Sequence, residues 1–599
     1  LQNTVGLNVL RTGSSIGKPM IHGMVGNRVI IMNNGVRLES QQWGSEHAPE
    51  VDINTVEDIE VIKDAGTIQY GSDAIGGVVL LVPREISGKL KGEVKLSGQT
   101  NGRIGASSIS LEGGFGDAHR INWRVQGSGT RGGNTKTAQY FLNNTGMKEL
   151  NYSLTGQYAH KSFDAEVFYS QINTEIGIFS GAHIGNLTDL NNAFQATRPA
   201  TPDTFQYAIG RPYQNVNHEL AKTVLSLKRG HSTIGIQLSR QYNLRQEYDK
   251  DKPLNDSLAA LNLPALHLEI TTLASELFWR SHSTNKRYTT KNGLLTSNQQ
   301  NTFEGRYFIP NYIRKNVGGY TIHNWTSSNY KTAIEGGLRY DHVEQTIYRR
   351  VGDEIISPQY AYSGLSGTLS AAIRASETTT INIRGGHAWR PPTINELYSD
   401  GLHHGAAAIE RGDTTLTEEK LNHTSIGFVW RNRRSHLIVD AYLNSFSNFI
   451  YLQPTGIPEL TIRGAFPSFD YRQTAARIIG IDISFNQRFA RGVEYNLTAS
   501  IMRGQRDNGT YLPMMPANRM LHSIKRQHQN GLMYGISAQI VAEQLLYDAD
   551  TDYLPPPEGY VLFNFFAGKT FKTKHQPFTL GFGVNNFLPA GHFSLDTRV

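Results

Sequence analysis

Cysteine is absent from all 599 residues, which excludes a disulfide framework and any thiolate metal site. Long apolar runs are missing as well. No stretch approaches the ~18 consecutive apolar residues of a membrane helix, and the longest candidate, Ile75 to Val82, has the length of a strand. That absence fits a soluble protein. It equally fits a transmembrane barrel, whose strands carry only alternating hydrophobicity. No block of Lys or Arg stands out among the 58 basic and 51 acidic residues, so the formal charge of +7 reads as solvated faces and loops, with no nucleic-acid partner. Hydrophobic residues make up only 38% of the chain, few for a helical protein of this size. What the chain does have is 28 Tyr and 59 Gly, a balance that favours β structure. No secretory signal is visible, and the chain begins in mid-pattern at Leu1, as the interior of a processed protein would.

Two regions differ in texture. Residues 1–85 are richer in Ile and Val and mix short apolar strands with glycine turns. Arg28 to Met32 followed by Asn33-Asn34-Gly35 reads as a strand entering a turn, Val56 to Lys63 as a short helix or strand, and Gly76 to Val82 as a buried strand. This is the pattern of a compact α+β unit. Residues 86–599 keep one texture throughout. Ile121 to Gly127, Thr233 to Ser239 and, less regularly, His436 to Leu443 alternate polar with apolar residues. Short polar connections such as Arg431 to Arg434 and Lys572 to Pro577 contrast with longer polar stretches, Ser180 to Asn215 and Ile457 to Arg472. Short turns at one end and long loops at the other describe an outer-membrane β-barrel. About 510 residues at roughly 23 per strand with its connection give about 22 antiparallel strands, a barrel wide enough to hold a folded plug. A β-propeller is the structural rival, but no repeat of roughly 40–50 residues appears.

Local motifs then identify a family. Ile21-His22-Gly23-Met24-Val25-Gly26-Asn27-Arg28-Val29 with Asn34-Gly35-Val36-Arg37 resembles the plug of TonB-dependent outer-membrane receptors. Val56-Glu57-Asp58-Ile59-Glu60-Val61 running into Tyr70-Gly71-Ser72-Asp73-Ala74-Ile75-Gly76-Gly77 resembles it too, and this block is specific in order and spacing. Within these blocks Gly26, Arg28, Gly35, Glu60, Tyr70, Gly71, Gly76 and Gly77 carry the likeness. In the C-terminal region Trp389-Arg390-Pro391-Pro392 through Asn395-Glu396-Leu397-Tyr398, Asp413-Thr414-Thr415-Leu416 and Gly583-Val584-Asn585-Asn586-Phe587 are similar to boxes of the same family. His22 stands where the family usually has Arg, so a different contact is expected there. The energy-coupling box expected before the plug would lie upstream of Leu1. Leu588-Pro589 meets Ala590-Gly591-His592 where a longer hairpin is usual, so the chain reads as interrupted at that joint.

The resemblance implies a transmembrane all-β barrel in the outer membrane of a Gram-negative bacterium, with the plug inside its lumen. It further implies active import of a scarce nutrient, driven by a periplasmic TonB protein with its inner-membrane energising complex. Outer-membrane lipids surround such a barrel, and a surface lipoprotein is a possible further partner. A non-transporting surface binding protein or adhesin is the reading from another class. No permanently bound cofactor is expected.

Two His-bearing segments bear on the ligand. Glu46-His47 lies in the polar stretch Gln41 to Glu50 of the plug, and His403-His404 follows the Pro-Pro box, with Glu410 and Asp413 beyond. Imidazole with carboxylate suits zinc, with nickel and copper as close competitors. The pairing is similar to the zinc-importing branch of the family, where an acidic residue plus His in the plug joins a His beyond Glu-Leu-Tyr. Haem receptors share the gross arrangement through axial histidines, and siderophore receptors line their vestibule with aromatics and Arg. The simplest alternative is that these histidines only hydrogen-bond loops. Catalysis has little support. Gly13-Ser14-Ser15-Ile16-Gly17 matches G-x-S-x-G but lacks the strand and helix of a nucleophile elbow. No H-E-x-x-H, P-loop or dinucleotide fingerprint accompanies it.

Overall fold

The computed structural model describes residues 4–13, 15–44, 46–115, 120–252, 255–403, 405–548, 552–573 and 576–587, for 64–66 the backbone alone. His404 and the joint at Leu588–His592 therefore lie outside the described residues.

The larger region closes into a barrel of 24 strand segments, antiparallel except where Ala408–Arg411 runs parallel to Ser468–Arg488. Three of these are short: Glu354–Ile356, Asp400–His403 and Ala408–Arg411. The strands that flank them pair directly with one another, so they stand outside the continuous wall. Without those three, 21 of the 24 segments form the wall among the described residues, beside the 22 expected. Alternation along each strand explains why this wall belongs in lipid. On Met147–Ala159, Leu150 and Leu154 are 62% and 51% exposed, whereas Asn151 and Ser153 between them are buried. Apolar side chains outside and polar ones inside reverse the pattern of a soluble sheet and match a lipid-facing belt around a polar lumen. Closure leaves no unpaired edge, the condition for strands to cross a bilayer. Among the described residues no helix is long and apolar enough to cross a membrane.

Inside the barrel sits a four-stranded sheet in the order Val36–Arg37, Val29–Asn33, Gly77–Pro83, Val56–Ile62, with a separate hairpin of Leu7–Arg11 and Gly17–Ile21. The segment Val56 to Lys63 is thus a strand as far as Ile62. Among the described residues the plug's helical content is confined to 3-10 turns, one of which, Ala74–Gly76, leads into the central strand. Asn34 and Gly35 both have positive φ, 50° and 75°, as the tight hairpin turn between Val29–Asn33 and Val36–Arg37 demands.

Ion pairs join plug to wall. Arg28 reaches Glu419 through Nε and Nη2, both at 2.7 Å, and Glu419 also accepts from Arg390 at 2.8 Å. Arg390 grips Glu396 through both terminal nitrogens. Glu396 in turn closes a capping box with Thr393 on the short helix Ile394–Tyr398, so the Pro-Pro box is the structural partner of the plug motif. His22 makes a different contact. It stacks on Tyr442 at 3.8 Å and meets Asp482 at 3.0 Å, where Lys63 also arrives at 2.8 Å.

Candidate metal centre

Three elements deliver the site. The plug residues 41–44 and 46–50 are braced by their own side chains and by Lys18, whose buried ammonium donates to the carbonyls of Gln42 and, at 2.7 Å, Gly44. Gly44 is required by crowding, since a Cβ there would stand 2.6 Å from His47 Nδ1. The second element is the hairpin Asp400–His403 with Ala408–Arg411. His403 pairs with Ala408, so Glu410, two residues on, shares its face. The third is the wall strand Ser232–Tyr248. Its outward Ile234 and Leu238 are exposed, and the opposite parity sends Gln241, Asn243, Arg245 and Glu247 into the lumen, all buried.

Glu46, His47, Glu247 and His403 converge, with one ligand atom from each lying within 4.8 Å of all the others. His47 Nε2 is 3.1 Å from both Glu46 Oε1 and Glu247 Oε1, and 3.4 Å from His403 Nε2. His403 Nε2 also meets Glu46 Oε1 directly. All four side chains are 0–2% exposed. The remaining ring nitrogens face acceptors: His47 Nδ1 lies 2.6 Å from the Gln41 carbonyl and His403 Nδ1 lies 2.8 Å from Glu410 Oε1. Each acceptor takes a hydrogen bond from Nδ1, which aims Nε2 at the common centre as the nitrogen that can bind an ion once its own proton leaves. Aromatic rings wall one side. Trp43 stacks on Phe308 at 5.2 Å, and Phe308 lies 4.8 Å from the His403 ring.

The loop and the hairpin lie outside the membrane-spanning strands, and the charges there act strongly on one another. Burial pushes the Glu46 carboxyl up, but the His403 and His47 imidazoles outweigh it and hold the group well below the usual carboxylate range. Burial pushes the His403 imidazole down, and here too the neighbours win: Glu46 and Glu410 raise it well above its ordinary value. Burial lowers the Lys18 ammonium to about 8, against the pull of Glu46.

A lumen plug with its contacts to the wall strands is now in view, and comparison with known proteins places it. Residues 96–587 match the family model of the TonB dependent receptor-like β-barrel, and residues 1–78 match the TonB-dependent Receptor Plug Domain. The chain belongs to the TonB-dependent receptor family. Members are transporters and receptors of the Gram-negative outer membrane, not enzymes. Over 238 residues this receptor is 24% identical to the vitamin B12 transporter BtuB of Photobacterium profundum, covering 39% of the chain and 34% of that protein. It thus spans about a third of the length of that relative. Its fold is similar to the copper transporter OprC, with a TM-score of 0.78 at 16% identity over 97% of this chain and 88% of the other. The FrpB iron transporter from Neisseria meningitidis (F3-3 variant) is similar too, with a TM-score of 0.73 at 13% identity, covering 98% and 91% of the two chains.

In this receptor the structure brings together Glu46, His47 and His403 from the sequence-derived set. Glu410 stands behind His403 as its orienting acceptor, away from the common centre. Asp413 is not at the centre: its Oδ1 accepts from the Thr415 amide and hydroxyl within its own turn. Glu247 was missed from sequence. The parity visible in Thr233 to Ser239, carried eight residues further, would have turned it into the lumen.

Proposed function

We propose that this receptor imports a transition-metal ion, zinc foremost, across the outer membrane, with Glu46, His47, Glu247 and His403 as the capture ligands. The carrying observation is the convergence of two imidazole Nε2 atoms and two carboxylate oxygens, each ring oriented from behind. With metal–ligand bonds of about 2.0–2.1 Å, a tetrahedral ion has ligand–ligand edges of about 3.3–3.4 Å. Three of the six separations, the Nε2–Nε2 distance of 3.4 Å and the two 3.1 Å contacts, lie close to such edges, whereas the tighter Glu46–His403 contact would open around an ion. A haem would need its macrocycle between the two rings, and carboxylates occupy that space. A siderophore would need an open floor, and these ligands are buried. Family membership favours transport over an adhesin.

The division of ligands supplies the release step. Glu46 and His47 come from the plug, Glu247 and His403 from the barrel. Taking residues 1–85 as plug and 86–599 as barrel, TonB-driven movement of the plug would split the set in two, and neither half is a sufficient tetrahedral site. Isothermal titration of the detergent-solubilised protein with zinc, copper, nickel and haemin tests the reading. Zinc should bind at one ion per chain, and His47→Ala or His403→Ala should weaken it at least a hundredfold. Zinc affinity equal to wild type in both variants would exclude this site.

A further inference from the structure

Lys18 belongs to none of the ligands and to none of the plug's family motifs, yet it is 3% exposed and carries a charge among theirs. Among the described residues no carboxylate is pressed against its ammonium. Instead it donates to the carbonyls of Gln42 and Gly44, backbone of the same loop that presents Glu46 and His47. Around it lie the charges of Glu46, Glu50 and Glu410, with Arg245 as the opposing cation. Lys18 sits on Gly17–Ile21, the strand that pairs throughout its length with Leu7–Arg11, the first strand of the plug.

Resting on the zinc reading above, we propose that Lys18 is the counter-cation of the metal-free site, and that an arriving dication weakens its hold on the loop. Without metal, the ammonium offsets the buried carboxylates and pins the loop to the first hairpin. A dication at the four-ligand centre supplies that positive charge itself, in surroundings too dry to screen the two cations from each other. Docked Lys18 and bound metal therefore disfavour one another, and by linkage each weakens the other by the same factor. Lys18 is a positioning residue, tying occupancy of the metal loop to the order of the hairpin nearest the chain's start.

A purely structural Lys18 and a counter-cation predict opposite signs. Lys18→Met should bind zinc about tenfold more tightly, within the usual range of such couplings, and Lys18→Arg should stay near wild type. Zinc should speed amide exchange across Leu7–Arg11 and Gly17–Ile21 in the wild-type receptor. In Lys18→Met that exchange should already be fast and indifferent to zinc. Weaker zinc binding by Lys18→Met overturns the proposal, because it would mean the ammonium only scaffolds the loop. So does unchanged hairpin exchange in a wild type that binds zinc, a result that leaves the functional reading intact. A wild type that binds no zinc overturns both.

Discussion

At the Arg28 cluster every carboxylate oxygen of Glu419 and Glu396 already meets a guanidinium. Glu419 accepts from Arg28 and Arg390 and from the Ile450 amide, and Glu396 accepts from Arg390 and the Thr393 amide. At the Glu46 cluster, also buried and also spanning plug and barrel, carboxylates meet imidazoles instead. The chemical difference is small and its consequence large. A guanidinium never gives up its proton in this range, so the first cluster is closed to an incoming cation. An imidazole exchanges its proton for a metal, and at the second cluster both rings are already turned for that exchange. One cluster ties plug to wall; the other offers the donors that the proposed metal would take.

Removing one member of each cluster should separate these roles. Arg28→Met leaves Glu419 with the Arg390 guanidinium and the Ile450 amide and takes away the guanidinium over the Phe449 ring. Breaking such a buried pair costs about 3–5 kcal/mol, read as faster amide exchange across Val29–Asn33 and Gly77–Pro83. Exchange equal to wild type would remove the fastening role. Glu410→Gln is the milder change. It keeps the shape but gives His403 Nδ1 a weaker, ambiguous partner, and loss of such an orienting group typically costs about 10–100-fold in metal affinity. Plug exchange should not move. If zinc affinity also holds, Glu410 does not orient the ring.

The same contrast explains what could be read in the chain beforehand. Gly26, Arg28 and the Gly76-Gly77 pair lie in short contiguous blocks, so the plug was legible from order and spacing alone. Glu46, His47 and His403 were legible because each sits beside such a block. Glu247 was not, because it belongs to a wall strand many of whose lumen-facing positions are polar: Gln241, Asn243 and Arg245 point the same way. Parity marks all of them as inward. Only the height at which the plug loop meets the wall selects one, and that height is a tertiary fact. Asp413 shows the converse. Its charge and position beside a family box made it attractive, but short Asp side chains satisfy themselves in turns, and the Asp-Thr-Thr sequence does so here.

Acidity gives the finest separation of the two clusters. The His403 imidazole titrates well above the ordinary value of 6.5, since Glu46 and Glu410 overcome its burial. A raised imidazole stabilises the metal-free fold fully below about 6.5. That stabilisation is lost as pH rises through the folded value. Metal binding runs the other way, because zinc must displace the proton. Zinc affinity should therefore climb with pH above about 6.5 by up to about tenfold per unit for each proton displaced, until the folded value is passed. Glu46 adds no slope there, being ionised far below this window. The Arg28 cluster adds none either, so the metal-free protein should lose stability over the interval in which zinc affinity rises, while the zinc-saturated protein stays level, since above about 6.5 neither it nor the unfolded chain holds the His403 proton. Thermal melting in chelator and zinc titration at matched pH values read the two slopes. Parallel slopes would mean that the proton on His403 and the ion do not compete for the same nitrogen.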